Sequence, residues 1–254
     1  KVRFLLRFFI ELSYNGKAYH GWQIQPNAIT VQEVLDKGLS LVLRTPISTM
    51  GAGRTDAGVH ALQMYAHFDT DVVFDADVLK YKLNSYLPED IVIHSVFKVH
   101  PEAHTRFDAL SRAYIYRIAV SKNAFNNDQT YYLKPQLDVD KLKAASKILL
   151  EYKDFQCFSK SNTDVKTYYC DIMQADWEIV GDELQFTIKA NRFLRNMVRA
   201  IVGTLINIGV GKLDVSDMHT IIQSKSRSEA GFSVPARALY LSEIIYPESI
   251  YLNE

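Results

Sequence analysis

Apolar residues along this chain recur with two periods, the two-residue period of strands and the period of about 3.6 residues of helices, and the period switches in a regular order. Phe4 to Leu12 predicts a strand, ended by Tyr14-Asn15-Gly16, where Asn-Gly is a strong turn signal. An irregular stretch with Tyr19, His20, Gly21, Trp22, Gln23, Gln25 and Pro26 follows. Thr30-Val31-Gln32-Glu33 has the form of a capping box, and Val31, Val34, Leu35, Leu41 and Val42 continue at helical spacing until Pro46 forbids continuation. Ile47 to Met50 predicts a short strand that runs into a glycine-rich loop. After the loop, Leu62, Met64, Ala66 and Phe68 alternate with Gln63, Tyr65 and His67, the pattern of a half-buried strand. Asp75 starts a second helix through Ser85, and Ile91 to Val99 forms another strand.

Residues 1 to 100 therefore spell β-α-β-β-α-β, and the second half repeats the order. Arg112 to Val120 predicts a strand with Tyr114, Tyr116 and Ile118 on one face. Asp138 caps a helix carrying Leu142, Ala145, Ile148 and Leu149. Thr167 to Val180 and Leu184 to Ala190 read as strands joined by a Gly181-Asp182-Glu183 turn. A long helix from Phe193 to Ile208 ends at Gly209, a short one runs from Val215 to Ser224, and Ala238 to Tyr246 closes as a strand. The expected fold is α/β of the α+β kind, with two ferredoxin-like halves, mainly antiparallel sheets and a central cleft. The halves are residues 1–105 and 106–254, with a linker zone at His100 to Leu110 and a second irregular stretch at Ser121 to Gln136.

With 254 residues, 48% of them hydrophobic, the chain can bury a full core. Lys plus Arg and Asp plus Glu both number 29, which removes the overall basic excess usual in nucleic-acid binders, so such a role has to rest on local clusters. Two exist in the sequence: Arg106, Arg112, Arg117 and Lys122, and Arg192, Arg195 and Arg199. Two cysteines, Cys157 and Cys170, are too few for a disulfide framework and favour a reducing compartment. The opening Lys1 to Ile10 briefly has the look of a signal peptide, but Arg7 interrupts its apolar run and no small-residue cleavage site follows. No stretch approaches the length needed to span a membrane.

The stretch with most chemistry is Gly51-Ala52-Gly53-Arg54-Thr55-Asp56-Ala57-Gly58-Val59-His60. Its glycines permit a sharp turn and close approach to a ligand, and Arg54, two residues before Asp56, is expected to hold that carboxylate ionised. An ionised Asp is a nucleophile or base rather than a proton donor. For an arbitrary loop of this composition the ordinary explanation is an Asp that caps the next element. A phosphate cradle does not fit, because no Gly-Lys-Ser/Thr follows and a strand rather than a helix comes next. Nor does a metal site, since one Asp and one His lack partners at ligand spacing.

The run G-R-T-D-A-G-V-H resembles the signature loop of the TruA family of tRNA pseudouridine synthases, whose catalytic aspartate falls on Asp56. Further matches extend the resemblance over nearly the whole chain. Ser111-Arg112-Ala113-Tyr114-Ile115-Tyr116 is similar to the family's basic-aromatic strand, with Tyr114 at the active-site tyrosine; the family usually has two adjacent arginines where this chain has Ser111 and Arg112. Asn191 to Arg199 is similar to its helical motif, in which the arginine at Arg199 pairs with the aspartate. Leu239 matches a leucine that packs on the target base, and Arg54 is expected to contact RNA where the base leaves the stack.

Read without the resemblance, Tyr114 and Leu239 are core side chains and the arginines a solvated stripe. Arg192, Arg195 and Arg199, three and four apart, are expected to share one helix face. The resemblance implies an isomerase that needs no cofactor and no metal, acting in the cytoplasm as a homodimer on the anticodon stem-loop of tRNA at positions 38 to 40. Two rival classes remain: a catalytically silent RNA-binding module, and a glycosidase-like hydrolase, which needs a second carboxylate such as Asp69 or Asp108.

Overall fold

A computed structural model describes residues 5–161 and 165–252. Among these residues it contains nine strands and five α-helices, with the strands mostly antiparallel, an α+β fold. The chain divides into two compact units: residues 1–110 together with 241–254, and residues 111–240.

In the first unit β1 (Leu6–Tyr14) pairs antiparallel with both β3 (His60–Thr70) and β4 (Ile91–Lys98), and β2 (Met50–Gly51) pairs with the far edge of β3. The order is β4-β1-β3-β2, so α1 (Val31–Leu43) connects two strands between which β3 lies. Thr30 caps α1 as its sequence requires, its side chain accepting from the Glu33 amide, and Val31, Leu35 and Leu39 are buried at successive turns. Asp75 caps α2 (Ala76–Tyr86) in the same way.

Register places Phe8, Ile10 and Leu12 opposite Phe68, Ala66 and Met64, which makes one apolar face. The other face is not solvated, contrary to the expected alternation. Tyr65 is buried there because the chain's last segment returns to this unit, and His67 because His104 and Thr105 pack on it: Tyr246 meets the rings of Tyr65 and Phe9 edge-on at 5.2 and 5.4 Å, and Tyr251 stacks on Phe97. A strand covered on both faces cannot keep the two-period pattern of a half-buried one.

In the second unit β5 (Ser111–Ala119) pairs with β8 (Glu183–Ala190), and β8 with β7 (Ile172–Val180), through a hairpin whose Gly181 adopts a φ of 61°. The short β6 (Tyr131–Tyr132) runs parallel to β5. Strand β7 begins later than expected because residues 168–170 bond instead to Lys153 and Phe155. Asp138 caps α3 (Val139–Ile148), whose Ser146 accepts from the indole of Trp177 at 2.8 Å. Helix α4 (Met197–Gly209) is buried on nearly every side, α5 (Asp217–Ser224) follows, and β9 (Leu239–Ile245) returns the chain to the first unit, where it lies beside β3. No helix among the described residues is long and apolar enough to cross a membrane.

Candidate active site

The glycine-rich loop is the link from β2 to β3, and the stretch that follows β1 packs against it and bonds its backbone at Thr55 and Gly58. Gly51 lies against the indole of Trp22, so close that a Cβ would fall 2.3 Å from Nε1. The Ala52 amide then donates to Tyr65. Thr55 is buried, its hydroxyl 2.9 Å from the Tyr14 hydroxyl, and its carbonyl accepts from the Trp22 amide. That carbonyl lies 2.3 Å from where a Cβ on Gly21 would be, and Gly21 has a φ of 86°, so only glycine fits there.

Beyond Thr55, the Val59 amide donates to the Asp56 carbonyl and the Gly58 amide to the Tyr19 carbonyl, while Gly16 donates to His60 Nδ1 at 3.1 Å. Asp56 thus sits half-exposed between two buried residues, Thr55, which is bonded to Tyr14 and Trp22, and Val59, which packs against Gly16. A carboxylate on so constrained a loop is pre-positioned. Arg54 is exposed and enters no hydrogen bond or ion pair among the described residues; the inward-turned Thr55 leaves its neighbour pointing to solvent. The scaffold residues Tyr14, Gly16, Gly21 and Trp22 carried only a turn signal in the sequence.

The second unit carries the other candidate residues. Tyr114 on β5 is half-buried, and its ring meets Phe193 edge-on at 5.1 Å. Its neighbour Tyr116 is fully buried and donates to the Pro235 carbonyl. Arg112 donates to the Asn191 carbonyl, and Arg192 to that of Thr167. Arg117 lies over the Tyr240 ring at 4.3 Å with Glu183 4.0 Å away, an internal cation–π contact rather than a member of a surface cluster. Leu239 is buried at the start of β9.

The three arginines of the helical motif do not share a helix face. Asn196 takes a left-handed φ of 65°, so α4 starts only at Met197. Arg195 lies in the preceding turn, exposed, with its carbonyl accepting from Lys160, and Arg192 is earlier still. Only Arg199 is on the helix.

Arg199 is held by the segment 227–235, which runs across α4. Its Nε donates to the Val234 carbonyl at 2.7 Å, and the Val234 amide donates back to the Arg199 carbonyl. The segment can approach because Gly203 and Gly231 cross without side chains: a Cβ on Gly203 would stand 1.8 Å from the Phe232 oxygen, and one on Gly231 2.5 Å from the Gly203 carbon. Thr204 Oγ1 accepts the Gly231 amide, Arg227 donates to the Gly231 carbonyl and the Ser233 hydroxyl, and Asn196 also donates to Ser233. None of these supports was visible in the sequence.

The second carboxylates a hydrolase would need are engaged elsewhere. Asp69 forms a bidentate pair with Arg7, whose hydrogen bonds hold the carboxyl below its ordinary range, and Asp108 accepts the His104 amide. Burial pushes the Cys157 thiol up to about 12 and that of Cys170 up to about 11, so neither is a nucleophile near neutral pH. Among the described residues no group of three or more His, Cys, Asp or Glu side chains could hold a metal ion.

An aspartate presented on a constrained loop of an α+β scaffold narrows the class, and comparison with known proteins defines it. The family model described as tRNA pseudouridine synthase matches residues 145–247. A tRNA pseudouridine synthase A of Parabacteroides distasonis is 50% identical over 96% of this chain and 98% of its own length; that of Porphyromonas gingivalis is 47% identical over 98% and 100%, and that of Thermoanaerobacter sp. 38% identical over 93% and 98%. The chain belongs to the tRNA pseudouridine synthase A family, a family of isomerases.

Proposed function

We propose that this protein isomerises uridine to pseudouridine in tRNA, at positions 38 to 40 of the anticodon stem-loop, with Asp56 as the catalytic carboxylate. The observation that carries the reading is the Asp56 loop, fixed on both sides by Tyr14, Trp22 and the glycines that admit them. The reaction breaks the bond from ribose C1′ to N1 and forms one from C1′ to C5; the C5 proton leaves to solvent and N1 takes one up. Composition is unchanged, so the chemistry asks for no cofactor. It asks for a base flipped out of the RNA, an ionised carboxylate beside the sugar, and a surface that retains the freed base.

Tyr114 is assigned to that surface, as a stacking ring and as the group that moves the C5 proton. Arg199 is assigned as the cation that pairs with the catalytic carboxylate, Leu239 as apolar packing for the base, and Arg54, Arg112 and Arg195 as RNA contacts. The exposure of Arg54 and Arg195 supports those roles. The β4-β1-β3-β2 order supports a ferredoxin-like reading of the first unit. The assembly is assigned as a cytoplasmic homodimer. The test is tritium release from C5-labelled uridine in unmodified tRNA, because the product has the mass of the substrate; a protein that releases none is not this enzyme.

A further inference from the structure

Most exposed apolar side chains of a soluble protein carry no meaning, and Phe107, 74% exposed, would be one of them if its ring were loose. It is instead the outer end of a column of four rings. Phe9, fully buried, stacks on His67 at 6.0 Å; His67 meets His104 edge-on at 4.6 Å; His104 lies 4.2 Å from Phe107. The turn that carries the ring is closed three ways. The His104 amide donates to Asp108, the Asp108 amide returns to the His104 carbonyl, and His104 Nδ1 accepts the amides of Arg106 and Phe107 at 3.1 and 3.4 Å. Nδ1 as acceptor requires the neutral imidazole, and burial, the largest influence on both rings, pushes His67 down to about 4 and lowers His104 as well. The rings of the column are therefore uncharged at neutral pH.

Its place matters as much as its rigidity. Thr105 donates to the carbonyl of Met50, the residue directly before Gly51, which ties the turn to the root of the Asp56 loop. The guanidinium of Arg106 lies over the Phe107 ring, 5.7 Å from its centre, which adds positive charge beside an exposed aromatic side chain. An immobilised ring flanked by a cation, rooted where the catalytic loop begins, has the chemistry that receives a flat, electron-rich, anion-linked group.

We propose that Phe107 and Arg106 form a stacking platform for an unpaired base of the RNA substrate, distinct from the target uridine. The proposal rests on the tRNA reading above and adds a second point of base contact to it. Because His104 fixes the ring before binding, little conformational freedom is lost when a base stacks, and the contact contributes to affinity rather than to the chemical step.

The experiment uses the full chain, an unmodified tRNA transcript and Phe107→Ala, Phe107→Trp and Arg106→Gln variants, with Kd measured at several salt concentrations, single-turnover tritium release and sedimentation velocity. Phe107→Ala is expected to raise Kd about 5- to 100-fold, the loss of one stacked base, with an unchanged salt slope and a single-turnover rate at saturation near the parent's. Phe107→Trp is expected to bind as the parent does and to lose indole fluorescence when tRNA is added. Arg106→Gln is expected to weaken binding with a smaller salt slope. Parent-like binding by Phe107→Ala overturns the platform, and so does a lower sedimenting mass in that variant, which would make the ring an interface between copies. A parent protein that binds tRNA through Phe107 but releases no tritium would refute the proposed reaction and leave the platform standing.

Discussion

Replacing Gly203 by alanine sets two opposed effects against each other, and the structure decides which wins. In a helix interior alanine is favoured over glycine by about 0.8 to 1 kcal/mol, so helix propensity alone makes Gly203→Ala stabilising. At this position the new Cβ would lie 1.8 Å from the Phe232 carbonyl oxygen, where ordinary contact begins at 3.4 Å, so the crossing segment must retreat by about 1.6 Å. The obstacle is backbone, which cannot swing aside as a side-chain tip can. Retreat weakens the hydrogen bond from the Gly231 amide to Thr204 and draws the Val234 carbonyl from Arg199.

Overpacking of this kind costs about 1 to 3 kcal/mol and a lost hydrogen bond about 1, which against the propensity gain leaves a net loss of about 2 kcal/mol. For a chain this size that lowers Tm by about 4 to 8 °C. If Arg199 acts with the catalytic carboxylate, its displacement also slows single-turnover tritium release by at least about 10-fold, since misplacement near 1 Å costs up to about 10²-fold. Thermal unfolding and single-turnover rates at a temperature where both proteins are folded provide the assay. An alanine variant at least as stable and as fast as the parent would refute the reasoning, because the crossing would then not be tight.

Three further outcomes are expected. Tyr114→Phe keeps the ring that packs on Phe193 and loses only the hydroxyl, so single-turnover release should slow by at least about 10²-fold if that hydroxyl moves the C5 proton; a Phe variant as fast as the parent removes the role. Among the loop glycines, Gly53→Ala meets nothing within 4 Å and should change stability by less than about 0.5 kcal/mol, whereas Gly51→Ala strikes the Trp22 indole and should cost about 1 to 3 kcal/mol, both read from denaturant midpoints. Asp36→Asn tests a pH effect: burial pushes the carboxyl from 3.8 up to about 6 despite two hydrogen bonds from Thr49, so its protonated form favours folding below 3.8 and that advantage is lost as pH rises through 6. The Asn variant should therefore gain about 1 to 2 kcal/mol over the parent at pH 8, after allowance for solvent screening of a half-buried group, and the gain should vanish toward pH 4.

What was legible in the sequence was local. Thr30, Asp75 and Asp138 each cap the helix that follows because a cap is a contact between residues three apart. The G-R-T-D-A-G-V-H run pointed to the family for the same reason: the motif lies in eight consecutive residues. What failed was set by distant partners or by one backbone angle. Counting in helical steps put Arg192, Arg195 and Arg199 on one face, and a single left-handed residue, Asn196, undid it. Tyr65 and His67 alternate as solvent-facing residues do, yet Tyr246 covers the first and His104 and Thr105 the second. Arg117 counted with a local basic cluster, and the structure sets it over the Tyr240 ring. The Gly203–Gly231 crossing joins positions far apart in the sequence, and neither glycine lies in a turn pattern that would announce it.

The most direct measurement is tritium release from C5-labelled, unmodified tRNA by the parent protein and by Asp56→Asn, with tRNA affinity measured on both. Asp56 is half-exposed and its loop is fixed by neighbours the substitution does not touch, so the variant should fold and bind tRNA close to the parent while releasing no tritium above background. Residual single-turnover release within about tenfold of the parent, far short of the loss expected for the group that carries the chemistry, would contradict the assignment of Asp56 as the catalytic carboxylate.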